Sequence, residues 1–251
     1  MHISYHKEWS HSLSRDMEYK VYGHRGKPIL AFPTSGGRFF QYEDSGMIEE
    51  LSDYIEEGRI QVWACDGIDE ETFFSQHSDI RTRMTRHKEY DQYIAEELVP
   101  LILQTSKRNN NGVDQKIWIT GCSMGAFHSA NFFFRHPFAF DGLLALSGVY
   151  STTYFFGNHM DDDVYFHSTL SYLNDLHDEN YIQSYRQSRL VICTGQGDYE
   201  DEMIEETHQL KALLEKKEIP ARIDFWGHDS HHDWDWWRKQ FRYYISEWMK
   251  V

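Results

Sequence analysis

The sequence predicts an α/β protein whose central sheet is mostly parallel and covered by helices on both faces. Three observations carry this. From residue 28 onward, short apolar and β-branched runs alternate with helical periodicities, which is the pattern of strand–helix–strand units. Before them, residues 2–23 alternate polar and apolar side chains and stop at Gly23, as an antiparallel edge hairpin does. The 251 residues suffice for one covered sheet. No repeat, low-complexity tract or linker divides them, so residues 1–251 are expected to form a single domain.

The elements follow in order. Residues 28–32 form a short buried strand that opens into the loop Pro33-Thr34-Ser35-Gly36-Gly37. A helix over 47–57 stops at Gly58. A strand over 60–65 turns at Asp66-Gly67. A helix over 90–107 places Tyr93, Ile94, Leu98, Leu101 and Ile102 on one face. Residues 116–120 form a strand, and 126–135 a helix that ends before His136-Pro137. Another strand covers 142–147. Residues 149–188 lack clean periodicity and read as a lid or cap of short helices inserted into the domain. A strand over 189–194, a helix over 201–217 and a strand over 221–226 follow. In the last helix Trp234, Trp237, Phe241, Tyr244, Ile245 and Trp248 recur every three or four residues, a core-facing stripe.

Composition narrows the function. The net charge of −15, with no basic run to offset it, opposes binding to nucleic acid or an anionic membrane. No run is long enough to span a bilayer, and the N-terminus lacks the apolar core of a signal peptide, so a cytoplasmic protein is expected. The three cysteines, Cys65, Cys122 and Cys193, form no C-x-x-C pair, and an odd count argues against a disulfide framework. Aromatic residues make up 16% of the chain. They serve packing or line a pocket for a ring-bearing substrate.

The feature that carries chemistry is Gly121-Cys122-Ser123-Met124-Gly125. It is a G-x-S-x-G run between a strand and a helix, the setting of a nucleophile elbow. The sharp turn exposes the serine oxygen and requires small residues on either side. A tight turn with an inert serine is the bland alternative, so partners decide. A serine nucleophile needs a base, and the base needs an orienting acid; on this architecture they follow the serine as acid, then histidine. Asp198, in the loop after strand 189–194, is the first choice of acid. Glu200 and Asp201 are its neighbours, and Asp201 suits the N-cap of the next helix. His228, His231 and His232 after strand 221–226 compete as base. The same three, helped by Asp229 or Asp233, could instead hold zinc. Two of them are sequence neighbours and no second ligand cluster exists, so no metal is expected. An oxyanion would bind the Met124 N–H and a second N–H from the loop after residue 32, with Ser35 preferred and Thr34 next. Gly36 and Gly37 allow a close approach there.

The chain resembles the putative-esterase family of α/β-hydrolases, which includes S-formylglutathione hydrolases, tributyrin-type esterases and feruloyl esterases. The likeness is carried by residues 9–17, by Gly121 to Gly125 with Ala126, by Gly197-Asp198, and by His232-Asp233-Trp234-Asp235-Trp236-Trp237. This last run is similar to the family's histidine–acid–tryptophan segment and favours His232 as the base. The resemblance implies an α/β-hydrolase fold and a cofactor-free serine carboxylesterase using Ser123, Asp198 and His232. Its substrates would be small or aromatic esters, and a homodimer is a possible assembly. The chain departs from the family at Pro33-Thr34, where relatives often carry His-Gly. Acyl transfer by the same three residues, or ligand binding without catalysis, are the rival readings. Thr34, Gly36, Tyr154, Phe155 and Phe156 are expected to contact substrate, with Tyr165, Phe166 and Tyr172 as further wall candidates.

Overall fold

The computed structural model describes residues 1–250. Eight strands form one sheet: β1 (Ile3–Ser10), β2 (Arg15–Tyr22), β3 (Lys27–Phe32), β4 (Ile60–Cys65), β5 (Ile117–Cys122), β6 (Phe140–Leu146), β7 (Arg189–Thr194) and β8 (Arg222–Phe225). Their spatial order is β1-β2-β4-β3-β5-β6-β7-β8. The β1–β2 and β2–β4 pairs are antiparallel and the other five parallel. β4 and β5 are buried at every position, as strands covered on both faces must be.

The helices are α1 (Gln41–Asp44), α2 (Met47–Glu50), α3 (Ser52–Glu56), α4 (Ile80–Gln92), α5 (Val99–Asn109), α6 (Met124–Arg135), α7 (Thr153–Phe156), α8 (Asp162–Tyr165), α9 (Thr169–Asp175), α10 (Glu179–Arg186), α11 (Asp201–Lys216) and α12 (Trp234–Trp248). One core unites a sheet face with α5, α6, α10 and α11 through Ile102, Phe132, Phe133, Tyr185 and Leu214. The other face packs against α2, α3 and α12 through Ile48, Ile55, Trp237, Phe241 and Ile245. The expected tryptophan-rich stripe is thus core-facing. No helix among the described residues is long and apolar enough to cross a membrane.

Two helices differ from expectation. The stretch expected as one helix over 47–57 is two short helices joined at Leu51 and preceded by α1, with Gly46 at φ 77° before α2. The helix expected from residue 90 begins ten residues earlier. Asp79 caps α4 by accepting the Thr82 N–H at 2.9 Å, and a π-helical turn, Tyr93–Leu98, joins α4 to α5. α4 is polar almost throughout, so it lacks the apolar stripe that reveals a helix in sequence.

α4 nevertheless buries His87, and that burial has an energetic consequence. His87 lies in contact with His167 and His128, at ring-centroid distances of 4.5 and 5.8 Å, and against Phe73 at 4.6 Å. Neither of its ring nitrogens has a hydrogen-bond partner. His167 accepts from the Arg135 guanidinium at 2.8 Å, and His128 Nε2 lies 2.8 Å from the Asp69 carboxylate. Burial holds the His87 pKa well below the ordinary histidine value. Burial and the adjacent Arg135 push His167 down to about 3. Both rings are neutral in the folded protein but protonate at about pH 6.5 once unfolded. The unfolded state therefore binds more protons below that pH, and stability falls as pH drops from about 6.5 toward 3. The limiting slope is about 1.4 kcal/mol per pH unit for each ring. Urea unfolding of His87→Leu between pH 7.5 and 5 should give a shallower dependence than wild type. Identical slopes would mean that His87 does not titrate on unfolding.

Candidate active site

Ser123 stands where β5 turns into α6. Its backbone has φ 56° and ψ −121°, a left-handed setting that costs a non-glycine residue conformational energy. The Ser123 N–H donates to the Leu146 carbonyl at 2.9 Å and so ties the turn to the end of β6. The flanking glycines are steric necessities. A Cβ on Gly121 would sit 2.1 Å from the Gly125 carbonyl carbon, and one on Gly125 would sit 2.5 Å from the Phe32 oxygen. α6 therefore begins pressed against the ends of β5 and β3. The serine lies at the carboxyl edge of the parallel strands, where α/β sheets place ligand sites.

His232 reaches this serine from the loop after β8, with Nε2 2.9 Å from Ser123 Oγ. The Asp233 carboxylate caps α12 by accepting the Trp236 N–H at 3.1 Å, which fixes the chain just past the imidazole. Trp237 then meets the His232 ring edge to face, at 4.9 Å between centroids and 84° between planes.

The group opposite His232 Nδ1 is Glu200, not Asp198. Glu200 is fully buried, and its Oε2 lies 3.6 Å from His232 Nδ1. Two hydroxyls donate to this carboxylate, Ser147 to Oε1 at 2.6 Å and Thr194 to Oε2 at 2.8 Å. The Trp237 indole N–H donates in turn to Ser147 Oγ at 3.0 Å. His232 Nδ1 has no closer partner, and 3.6 Å is a few tenths beyond hydrogen-bond reach. Such contacts commonly tighten when substrate binds.

Asp198 sits at the exposed tip of the turn, with its side chain 82% accessible. Its backbone N–H donates to His231 Nδ1 at 2.9 Å, and its carbonyl accepts the His232 N–H at 3.2 Å. Asp198 therefore holds the histidine loop through its main chain. Tyr199, at φ 65°, reverses the chain, and the carboxylate that comes nearest His232 is Glu200, two residues after Asp198. Asp201 is the first residue of α11, and the N-cap position expected for it belongs to Glu200. His228 Nδ1 lies 3.1 Å from the Gln196 carbonyl. The three loop histidines thus address Gln196, Asp198 and Ser123, and they do not converge.

A cleft of about 390 Å³ opens over Ser123 and His232. Ser35 and Met124 line it together with the serine, so the structure brings both expected oxyanion residues to the nucleophile. In the first turn of α6 the Ala126 and Phe127 N–H groups donate to the Ser123 carbonyl at 2.9 and 3.2 Å, while Met124, at the start of the helix, has no helical carbonyl four residues back. Thr34 and Gly36 do not line the cleft. Thr34 is tied back by Gln41, which accepts its N–H at 2.9 Å and donates to its hydroxyl at 2.7 Å.

The 149–188 segment splits in two. Val149, Tyr154 and Phe155 line the cleft. Phe156 does not; it is buried against Phe73 at 5.6 Å and beneath the Arg83 guanidinium at 4.5 Å. Tyr165, Phe166 and Tyr172 lie at a separate cleft beside Arg135 and Tyr181. Sequence reasoning missed five cleft residues: Phe74, Val149, Tyr199, Glu202 and Met203. Phe74 falls in a stretch with no readable element. Val149 begins the segment read as a lid, and the other three lie in or beside the loop after β7, where proximity was the only available signal.

A family model described as "Putative esterase" matches residues 10–244. A solved ferulic acid esterase superposes with a TM-score of 0.73 at 15% identity, over 96% of this chain and 95% of that one. S-formylglutathione hydrolase from Agrobacterium tumefaciens gives 0.72 at 13%, over 98% and 93%. Fluorophosphonate-binding serine hydrolase F from Staphylococcus aureus gives 0.69 at 16%, over 99% and 98%. At these identities the likeness shows the fold, that of an α/β-hydrolase. No curated protein matches the sequence. The family match covers nearly the whole chain, and the protein belongs to this esterase family.

Proposed function

We propose that the protein is a serine carboxylesterase working through an acyl-enzyme, with Ser123, His232 and Glu200 as its triad. The observation that carries this reading is the 2.9 Å approach of His232 Nε2 to the strained elbow serine, with a buried carboxylate behind the same imidazole. Ser123 Oγ attacks the ester carbonyl carbon as His232 Nε2 takes its proton. Glu200 orients the ring and stabilises the cation that forms. The Met124 and Ser35 N–H groups receive the oxyanion. His232 then protonates the departing alkoxide, and water repeats the sequence on the acyl-enzyme. These steps use only the chain's own groups, and no cofactor takes part. The ring-lined cleft suits small or aromatic acyl groups.

Ser123→Ala should fold as wild type and lose at least about a thousandfold in turnover of a short-chain ester such as p-nitrophenyl acetate. Fluorophosphonate labelling should disappear with it. A folded variant that keeps its activity would refute the nucleophile assignment.

Glu200→Gln and Asp198→Asn separate the two acids. Glu200→Gln should lower kcat by roughly three to four orders of magnitude with little change in KM. Asp198→Asn, altering an exposed side chain, should stay within about threefold of wild type. The reverse order of damage, at intact circular dichroism, would return the role to Asp198.

A further inference from the structure

The cleft over Ser123 is lined by one carboxylate, solvent-exposed and without an ion-pair partner among the described residues. Glu202, in the first turn of α11, lines the cleft. Its neighbours are engaged: Glu200 accepts from Ser147 and Thr194, and Glu206 from the Ser151 N–H and hydroxyl at 2.8 and 2.5 Å. Glu202 has no comparable partner among the described residues. No lysine or arginine lines the cleft. The nearby Arg83 stacks on Phe156 and donates to the Thr72 and Phe73 carbonyls, outside the lining.

The walls around this carboxylate are aromatic. Phe74, Tyr154, Phe155 and Tyr199 all face the cleft. Phe155 packs edge to face with Phe74 at 5.5 Å and with Tyr154 at 5.2 Å. Tyr199 is 84% exposed, and its positive φ is one that a bulky side chain rarely adopts. That strained turn holds an exposed ring at the rim three residues from Glu202. Ring faces attract organic cations, and aromatic clusters are a recurring way to bind alkylated ammonium groups. A carboxylate beside them adds a charge of the right sign.

We propose that the cleft selects esters of ammonium-bearing alcohols, with Glu202 and the surrounding rings receiving the cation, and discriminates against anionic alcohols. The inference rests on the esterase reading of the same site. The reaction stays a hydrolysis: the acyl C–O bond breaks, water supplies the hydroxyl of the acid, and the alcohol leaves with its positive charge intact.

The test compares three acetyl esters of similar length at low ionic strength, where screening is weakest. They are acetylcholine, its uncharged isostere 3,3-dimethylbutyl acetate, and the anionic 4-acetoxybutanoate. Wild-type kcat/KM should fall in that order, with about tenfold or more between the first two. Glu202→Gln should erase most of that gap, mainly through KM for acetylcholine. Glu202→Lys should favour the anionic ester. Calorimetric binding of choline against 3,3-dimethylbutanol reads the same preference without turnover. Equal handling of charged and neutral partners by the wild type, or an equal loss on all three esters in Glu202→Gln, would overturn the proposal. Turnover of the neutral ester would then leave the esterase reading standing. Absent turnover of every ester, with no fluorophosphonate labelling, would instead fail the esterase reading, and the choline comparison would still decide the cation preference.

Discussion

The candidate site depends on one buried carboxylate and the groups that hold it. A buried carboxyl group such as that of Glu200 is costly if left without hydrogen-bond partners. Hydroxyl donors from Ser147 and Thr194 make it tolerable, and these residues sit at the ends of β6 and β7. The Trp237 indole, fixed in α12, orients Ser147 and stands against the His232 ring. Two strand ends, one helix and the loop before it thus meet at a single carboxylate. In such a network the loss of one member strands the others, so its parts act together.

The second constraint is steric. Ser123 is forced into a left-handed conformation because the helix after it runs close under β3 and β5. Only glycine at positions 121 and 125 permits that approach. The strain is held in place by the sheet, since the Ser123 N–H is bonded to the end of β6. The same strand end continues to Ser147, which holds Glu200. Ser123 and Glu200 are therefore both tied to the end of β6, although Glu200 comes from the loop after β7 and His232 from the loop after β8.

These two constraints explain what could be read from the sequence. The elbow, the sheet and most strand positions were legible because glycine spacing and buried apolar runs are local signals. The placement of His232 beside Ser123 was legible through its resemblance-bearing segment and its place before α12. The placement of Glu200 behind that ring was not. Which of three acidic residues turns inward depends on Tyr199 adopting a positive φ, and a tyrosine gives no local hint of that conformation. α4 stayed hidden because its buried residues, His87 among them, are largely polar. The rings of the 149–188 segment could not be sorted in advance. Only packing sends Tyr154 and Phe155 to the cleft, Phe156 beneath it, and Tyr172 to another surface.

Phe73 shows how these regions share one support. It contacts Phe127 of α6 and the cleft-lining Phe155, each at 4.9 Å, and on its other side packs against His87 and His128. The wall of the cleft therefore rests in part on His87, whose burial holds its pKa well below the ordinary histidine value. His128 belongs to the helix that starts after Ser123, and its Asp69 partner follows Gly67, where a Cβ would meet Pro33 at 3.4 Å. Aromatic packing and the buried histidines thus connect the cleft wall, the elbow helix and the oxyanion loop. Protonating His87 would place a charge with no hydrogen-bond partner against this packing, so the acid sensitivity of the fold and the shape of the cleft have a common physical origin.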